Sequence, residues 1–424
     1  MKQTNVWLPV YAADNSAVCS ALYELGGLIV MHDASGCNST YTTHDEPRWF
    51  DRPADVFITG LTEADAVLGN EQRMMDDIAA AAREVNPEFI AIAGTPIPMM
   101  MGCDYDGIAR ELESRTGVVS FGVDTNGTLD YVSGAGKAFV KLAERFVKPA
   151  ARKTPHPKLR VNVTGVTPLD WSVNGAPETI ESFLNDAGFT VQSNWAMGEN
   201  AALNRIASAA EADVTLAVTA SGIPPALWLY EHAGVPFVIG APVGDFMAQT
   251  IAAKLTEAAR SAKNINLASD CRGNWTGSEA PQTWVIGEAV TSAALRTGNE
   301  APQTWVIGEA VTSAALRAAL VKEKGLTRVA VATPLTAPDF VLGPRDVRNA
   351  DEDTFRTILP KAKSLIADPF YGQFVKKLTE TPPSVTDLPH EGLSGRIWRS
   401  AVPNLIGHRF SAWFDARSNR APLL

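Results

Sequence analysis

Short runs of β-branched and other apolar residues alternate with longer stretches of helical character almost from end to end of the chain. That alternation is the signature of parallel α/β layers. In the first third it predicts strands over 28–31, 56–59, 89–93 and 118–122, helices over 16–25, 63–85 and 106–115, and a closing helix over 134–146. The stretch KPAARKTPHPK at 148–158 holds three prolines and four Lys or Arg residues and reads as a linker. A second unit follows, with strands at RVNVTG, 189–192, 214–218 and VPFVIG, and helices over 178–187, 200–210, 225–233 and 245–263. A third unit carries WVIGE, a helix running to Lys324, RVAVAT at 328–333 and SLIAD at 364–368. The expected fold class is α/β with three Rossmann-like parallel-sheet domains, over 1–150, 159–265 and 300–424, with a connector over 266–299.

The connector contains an anomaly. TGSEAPQTWVIGEAVTSAALR at 276–296 recurs at 297–317 with a single change, Ser278 against Asn299. Two near-identical copies are too few to stack a repeat core, so they read as a recent tandem duplication. The second copy flows into AALVKEKG, completing a strand and helix with a Gly325 stop, and is assigned to the sheet. The first copy is then an insertion between the second and third units.

Composition narrows the class. With 424 residues, 46% apolar and 20% charged, the chain suits a soluble globular protein of two or three domains. No apolar run approaches the roughly 20 residues that span a bilayer. The start, MKQTNVWLPVYAADNS, lacks the apolar core and cleavage site of a secretory leader, so the expected address is cytoplasmic. A formal charge of -10 argues against a nucleic-acid partner, which needs a basic surface. Four dispersed cysteines, Cys19, Cys37, Cys103 and Cys271, form no CxxC pair, which excludes a disulfide framework or a zinc finger. Any joint role for them requires tertiary proximity.

The segment GLIVMHDASGC, from Gly27 to Cys37, is an apolar run that enters a turn of small and polar residues and ends on a cysteine. A lone cysteine after glycine is ordinarily a small buried residue. Here it is followed by THDEPRWF, VFITG, LTEADAVLGNEQRMMDDI and FIAIAGTPIPMMMGCDYDGIARELE. Taken in that order, these segments resemble the N-terminal domain of the nitrogenase component 1 family. His32 to Cys37 matches its "HGP-x-GC" loop, Thr62 to Gly69 its "TE-x-DAVFGG" segment, and Met101 to Asp104 with Asp106 its cysteine-bearing loop before "IGDD". The resemblance implies three Rossmann-like domains around a central cleft.

It also implies chemistry. In that family, cysteines from two related subunits hold an iron-sulfur cluster at their interface, and Cys37 matches the middle ligand. The family's first cysteine aligns near Ala12 and its third near Pro96, whereas Cys19 and Cys103 each lie seven residues further on. Seven residues span about 10 Å of helix, against a metal–sulfur bond of about 2.3 Å. Cys37, Cys19 and Cys103 are the candidate cofactor residues, with Cys37 and Cys19 as metal ligands. Cys19 and Cys103 serve only if the loops are rebuilt. The alternatives are Asp14 or Asp104 as substitutes with a partner supplying the rest, or no cluster. Nitrogenase proper holds its larger metallocluster by a cysteine of the second domain and a histidine of the third. The matching stretch, VTLAVTASGIPPALWLYEHAGVP at 214–236, has no cysteine, so the resemblance implies either that the partner chain holds that metallocluster or that this chain's site binds something other than that cofactor. His390 and His408 either line the cleft or are structural.

The remaining motifs are weaker. THDEP at 43–47 brings His44, Asp45 and Glu46 together, but polar residues before proline usually form a solvated turn. No GxxxxGK[ST] loop is present, so nucleotide hydrolysis belongs elsewhere. GAPVGD at 240–245 is a weak anion-binding candidate, and the methionines of IPMMMG suit a packed interface. The expected function is one subunit of a nitrogenase-like reductase. It pairs with a homologous component 1 chain as a heterodimer or heterotetramer and takes electrons from an ATP-dependent iron-sulfur reductase. The alternative is a non-catalytic metallocluster scaffold or ligand-binding protein of the same fold.

Overall fold

Thirteen parallel strands form three separate sheets in the computed structural model, which describes residues 5–36, 38–41, 45–52, 55–69, 71–150, 156–270 and 301–418. The first sheet has β1 (Leu28–Met31), β2 (Val56–Ile58), β3 (Ile90–Ala93) and β4 (Ser120–Val123) in the order β2-β1-β3-β4. The second has β5 (Arg160–Thr164), β6 (Thr190–Asn194), β7 (Val214–Ala217), β8 (Phe237–Ile239) and β9 (Ile265–Asn266) in the order β6-β5-β7-β8-β9. The third has β10 (Thr304–Ile307), β11 (Val329–Ala332), β12 (Ser364–Ala367) and β13 (Ser384–Asp387) in the order β11-β10-β12-β13. The central strands read LIVM, IAIA and VTLA and are buried throughout, because helices cover both faces and remove any need for alternation.

Each sheet reverses its strand order once, between β1 and β3, β5 and β7, and β10 and β12. Such reversals open a crevice at the carboxyl ends of the strands. The residues that follow those ends are His32, Asp33 and Thr95 in the first sheet, Asp170 and Ala220 in the second, and Glu309 and Asp368 in the third.

The helical stretch 63–85 is two helices, Glu63–Leu68 and Glu71–Val85. Gly69 sits at φ 72° and stops the first, whose start is closed by a Thr62–Asp65 capping box. The second copy of the duplicated segment supplies β10 and the helix Ala310–Lys324, which Gly325 ends in the left-handed region. The first copy lies outside the described residues. No described helix is long and apolar enough to cross a membrane.

The N-terminal segment straps the first unit to the third. The backbone N–H groups of Val6, Trp7 and Leu8 donate to Oε2 of Glu352 at 2.9, 2.8 and 3.0 Å, and Leu8 is buried beside Trp305 and Phe355. Burial pushes the Glu352 carboxyl up, but the bonds from Trp7, Leu8, Arg356 and Val6 outweigh it and hold it down at about 2. A lowered carboxyl stabilises fully above its unfolded value of about 4.3 and loses that contribution as pH falls toward about 2. Glu352→Gln is expected to weaken these charge-assisted bonds by about 2 kcal/mol, a roughly thirty-fold rise in the open population. Limited proteolysis at Trp7 at neutral pH measures it; an unchanged cleavage rate would mean that Leu8 alone anchors the strap.

Candidate functional site

The crevices of the second and third sheets meet around two buried carboxyl groups. Glu309 follows β10 and caps the helix Ala310–Lys324. Its Oε1 accepts from the N–H groups of Val311 at 3.0 Å and, across the sheets, Ala220 at 2.8 Å. Its Oε2 accepts from Thr312 N–H at 2.8 Å and the Thr312 hydroxyl at 2.9 Å. Asp170 sits in the one-turn helix Pro168–Trp171 after β5. Its Oδ1 accepts from the Tyr131 hydroxyl at 2.5 Å and its Oδ2 from the Thr167 hydroxyl at 3.0 Å. Burial raises the carboxyl of Asp170 well above its ordinary value, and the negative charge of Glu309 raises it further. Burial also raises Glu309, opposed by its bonds from Thr312, Val311 and Ala220.

His390 completes the group from the third unit. Its Nδ1 accepts the N–H of Gly392 at 3.2 Å, so the proton of the neutral ring is on Nε2, which donates to the Tyr131 oxygen at 3.3 Å. Burial pushes His390 down to about 4, and the ring is neutral at pH 7. Its backbone N–H is held by Asp368 at 3.0 Å. Both ring nitrogens are therefore engaged within the chain, and neither offers a lone pair to a metal.

Asp170, Glu309, Thr312, Ser313 and His390 line a cavity of about 80 Å³ with no Lys or Arg among its lining residues. Tyr11 meets His390 edge-on at 5.3 Å between ring centres and also lines a cavity of about 530 Å³ beneath the N-terminal strap. A third cavity, of about 520 Å³, lies between Val132, Pro224 and Pro338 and is mostly apolar; its Lys137 ammonium is turned onto the Asp124 carbonyl. Convergent polar groups distinguish the cavity lined by Asp170, Glu309 and His390 as the candidate site.

The cysteines are dispersed. Cys37, Cys271 and also His44 lie outside the described residues. Cys19 is fully buried with Ile29, Met31 and Ala93, against one face of the first sheet. Cys103 packs with Leu28, Val30 and Ile92 against the other face. The sheet separates them, so the fold does not bring Cys19 and Cys103 together. Burial raises both thiols, the opposite of what a thiolate ligand needs. Asp14 is consumed by the N–H groups of Asn15, Asn126 and Gly127 at 2.8, 3.1 and 2.7 Å. Asp104 is an exposed helix cap bonded to Gly107. Among the described residues no three His, Cys, Asp or Glu side chains converge as metal ligands. The described donors thus do not fit a cluster held by three residues of this chain.

Glu46 of THDEP is not in a solvated turn. It accepts from Ser20 at 2.7 Å and from Arg48 at 2.6 Å, and Arg48 also reaches Glu24 at 3.0 Å. This buried network is structural, and the charges of Glu46 and Arg48 reach the Cys19 thiol. His408 is exposed and away from the cavity lining. Asp170, Glu309 and Tyr131 escaped the sequence reading, although TPLDW and WVIGE each place an acid just beyond a strand's carboxyl end, where crevice residues fall.

Comparison with known proteins places these features in a family. A family model for nitrogenase component 1 type oxidoreductase matches residues 25–290. Nitrogenase molybdenum-iron protein beta chains from Methanothermobacter thermautotrophicus and Methanothermobacter marburgensis are 32% and 30% identical over 89 residues, 21% of this chain. A beta chain from Sinorhizobium fredii is 28% identical over 127 residues, 29% of this chain and 25% of the relative. The match spans 19% of the length of each Methanothermobacter relative. The solved structures "Nitrogenase Cp1 at pH 6.5" and "Nitrogenase Cp1 at pH 5" share the fold, with TM-scores of 0.62 and 0.65 at 11% and 12% identity. They cover 92% and 99% of this chain, and the alignment covers 86% and 89% of theirs.

Proposed function

The chain belongs to the nitrogenase component 1 type oxidoreductase family, and from that premise we propose that it is one subunit of a nitrogenase-like reductase. It pairs with a homologous chain and receives electrons from a separate ATP-dependent iron-sulfur reductase. The electrons go to a small molecule, or to a metallocofactor held by the partner, at the polar cavity between the second and third sheets. The family match over residues 25–290 carries this reading. The cavity supports it, since proton-bearing groups at a crevice suit a reduction that must supply protons.

Cys37 is the thiol proposed for an interface cluster, because it alone matches a family ligand position; Cys19 and Cys103 are structural. His390 is occupied and the matching stretch of the second unit has no cysteine, so a larger metallocluster belongs to the partner. A second reading, a scaffold or ligand-binding protein, draws on one observation: the family ligand positions fall at Ala12 and Pro96, and neither described thiol, Cys19 nor Cys103, is brought in to replace them.

The first test is iron and acid-labile sulfide, with EPR, on protein purified anaerobically with whatever co-purifies. Several irons per chain are expected, lost in Cys37→Ala and kept in Cys103→Ala. Iron-free protein in a complex with its partner would remove the cluster from this chain and favour the ligand-binding reading.

A further inference from the structure

Two carboxyl groups share the small cavity without a cation between them, and their hydrogen bonds differ in kind. Glu309 accepts three backbone N–H groups and one hydroxyl and sits at the positive end of the helix Ala310–Lys324, which holds a negative charge well. Asp170 accepts only the hydroxyls of Tyr131 and Thr167, and its side chain is 1% exposed. The titratable groups that face it are Glu309, Tyr131, Tyr11, Asp130 and the neutral His390. None is a cation at neutral pH. A second charge in this cavity is opposed both by burial and by Glu309, and one proton on the less well solvated acid relieves both.

We propose that Asp170 is held as a carboxylic acid beside an ionised Glu309 and donates its proton to a neutral, unsaturated acceptor in the cavity. The donor role rests on the reductase reading; the protonation state does not. In the step, two electrons supplied in turn through the iron-sulfur reductase reduce the acceptor. The Asp170 O–H bond breaks with its electron pair kept by the carboxylate, and that proton bonds to one reduced atom while a second proton, from water, bonds to its neighbour. The carboxylate left behind is held by the Tyr131 and Thr167 hydroxyls until water returns a proton. His390 is a positioning residue: with Nδ1 tied to Gly392 its only proton is on Nε2, so it donates to Tyr131 and keeps the Tyr131 hydroxyl aimed at Asp170.

Infrared spectroscopy of the whole complex, with aspartate carboxyls isotope-labelled, tests the protonation. A carboxylic acid carbonyl band is expected at pH 7, absent in Asp170→Asn. Glu309→Gln should lower its titration midpoint by about one pH unit. Tyr131→Phe should shift the band without abolishing it, which keeps the test decisive if the asparagine variant folds poorly. No band at pH 7, or one untouched by Asp170→Asn, overturns the assignment. For the donor role, the complex is given reductase, ATP and acetylene as a small neutral probe. Asp170→Asn should slow its reduction about a hundredfold and flatten the pH profile. A wild-type rate in that variant overturns the donor role. A complex that accepts no electrons fails the reductase reading and ends the donor role with it, while the infrared band still decides the acid.

Discussion

Arg317→Ala is expected to lower the unfolding free energy by about 3–5 kcal/mol, while Arg296→Ala changes it by no more than about 0.5 kcal/mol. The two arginines occupy the same place in two copies of one 21-residue sequence, so local propensity gives no reason for any difference. Tertiary placement does. Arg317 is buried, paired with an equally buried Asp346, and donates to the Ala268 carbonyl at 2.7 Å. Asp346 also accepts the N–H groups of Val331 and Gly343 at 2.8 and 2.9 Å. One guanidinium therefore ties the helix Ala310–Lys324 to β11, to the loop after it and to the end of the second unit. Its removal leaves a buried carboxylate without its counter-charge, which costs far more than the pair itself contributes. Urea unfolding of the two variants reads the difference directly. Deleting residues 276–296 should leave the melting temperature unchanged or raised, because the second copy alone supplies β10 and its helix. A large loss from Arg296→Ala, or a fall in melting temperature after the deletion, would mean that the first copy fills the sheet.

The strands were the most legible feature of the sequence, and the reason is burial on both faces. LIVM at 28–31 and VTLA at 214–217 carry no polar position to blur the signal. Ends were less legible: the helix expected at 16–25 runs over Asp14–Leu22, since the Asp14 carboxylate turns inward to bind the backbone at Asn126 and Gly127. The break at Gly69 was written as a glycine in a long helical run, but only its positive φ separates the two helices. The short helices Glu352–Ile358 and Glu391–Trp398 went unread because seven or eight residues give too little periodicity. For the site, the sequence pointed to thiols, whereas the fold assembles hydroxyls, carboxyls and an imidazole from three units. Cys19 illustrates the limit. Its neighbours in sequence do not reveal that the buried Glu46–Arg48 ion pair lies close enough for both charges to act on its thiol.

Glu309→Ala is expected to cost about 3–5 kcal/mol, the sum of a lost helix cap and of buried N–H groups left without acceptors. Ala220 and Val311 are both buried, and Ala220 belongs to the second sheet's crevice. The loss should accordingly weaken the junction of the second and third units, appearing in hydrogen exchange at Ala220 as well as along the helix Ala310–Lys324. Glu309→Gln keeps one acceptor oxygen and should cost about 1–2 kcal/mol, with a diagnostic pH dependence. Burial raises the carboxyls of both Glu309 and Asp170. A raised carboxyl binds its proton more tightly folded than unfolded. Its stabilising share is therefore complete below the unfolded values of about 3.9 and 4.3, and is lost as pH rises through the folded values. Glutamine does not titrate, and without the neighbouring charge Asp170 sheds its proton at lower pH. Across that window the wild type loses stability that the variant does not, so the deficit of Glu309→Gln should be largest near pH 4 and narrow toward pH 8. Urea midpoints at several pH values measure it. A deficit that widens with pH would show the Glu309 carboxyl held below its ordinary value by its N–H and hydroxyl donors, against the rise that burial gives it.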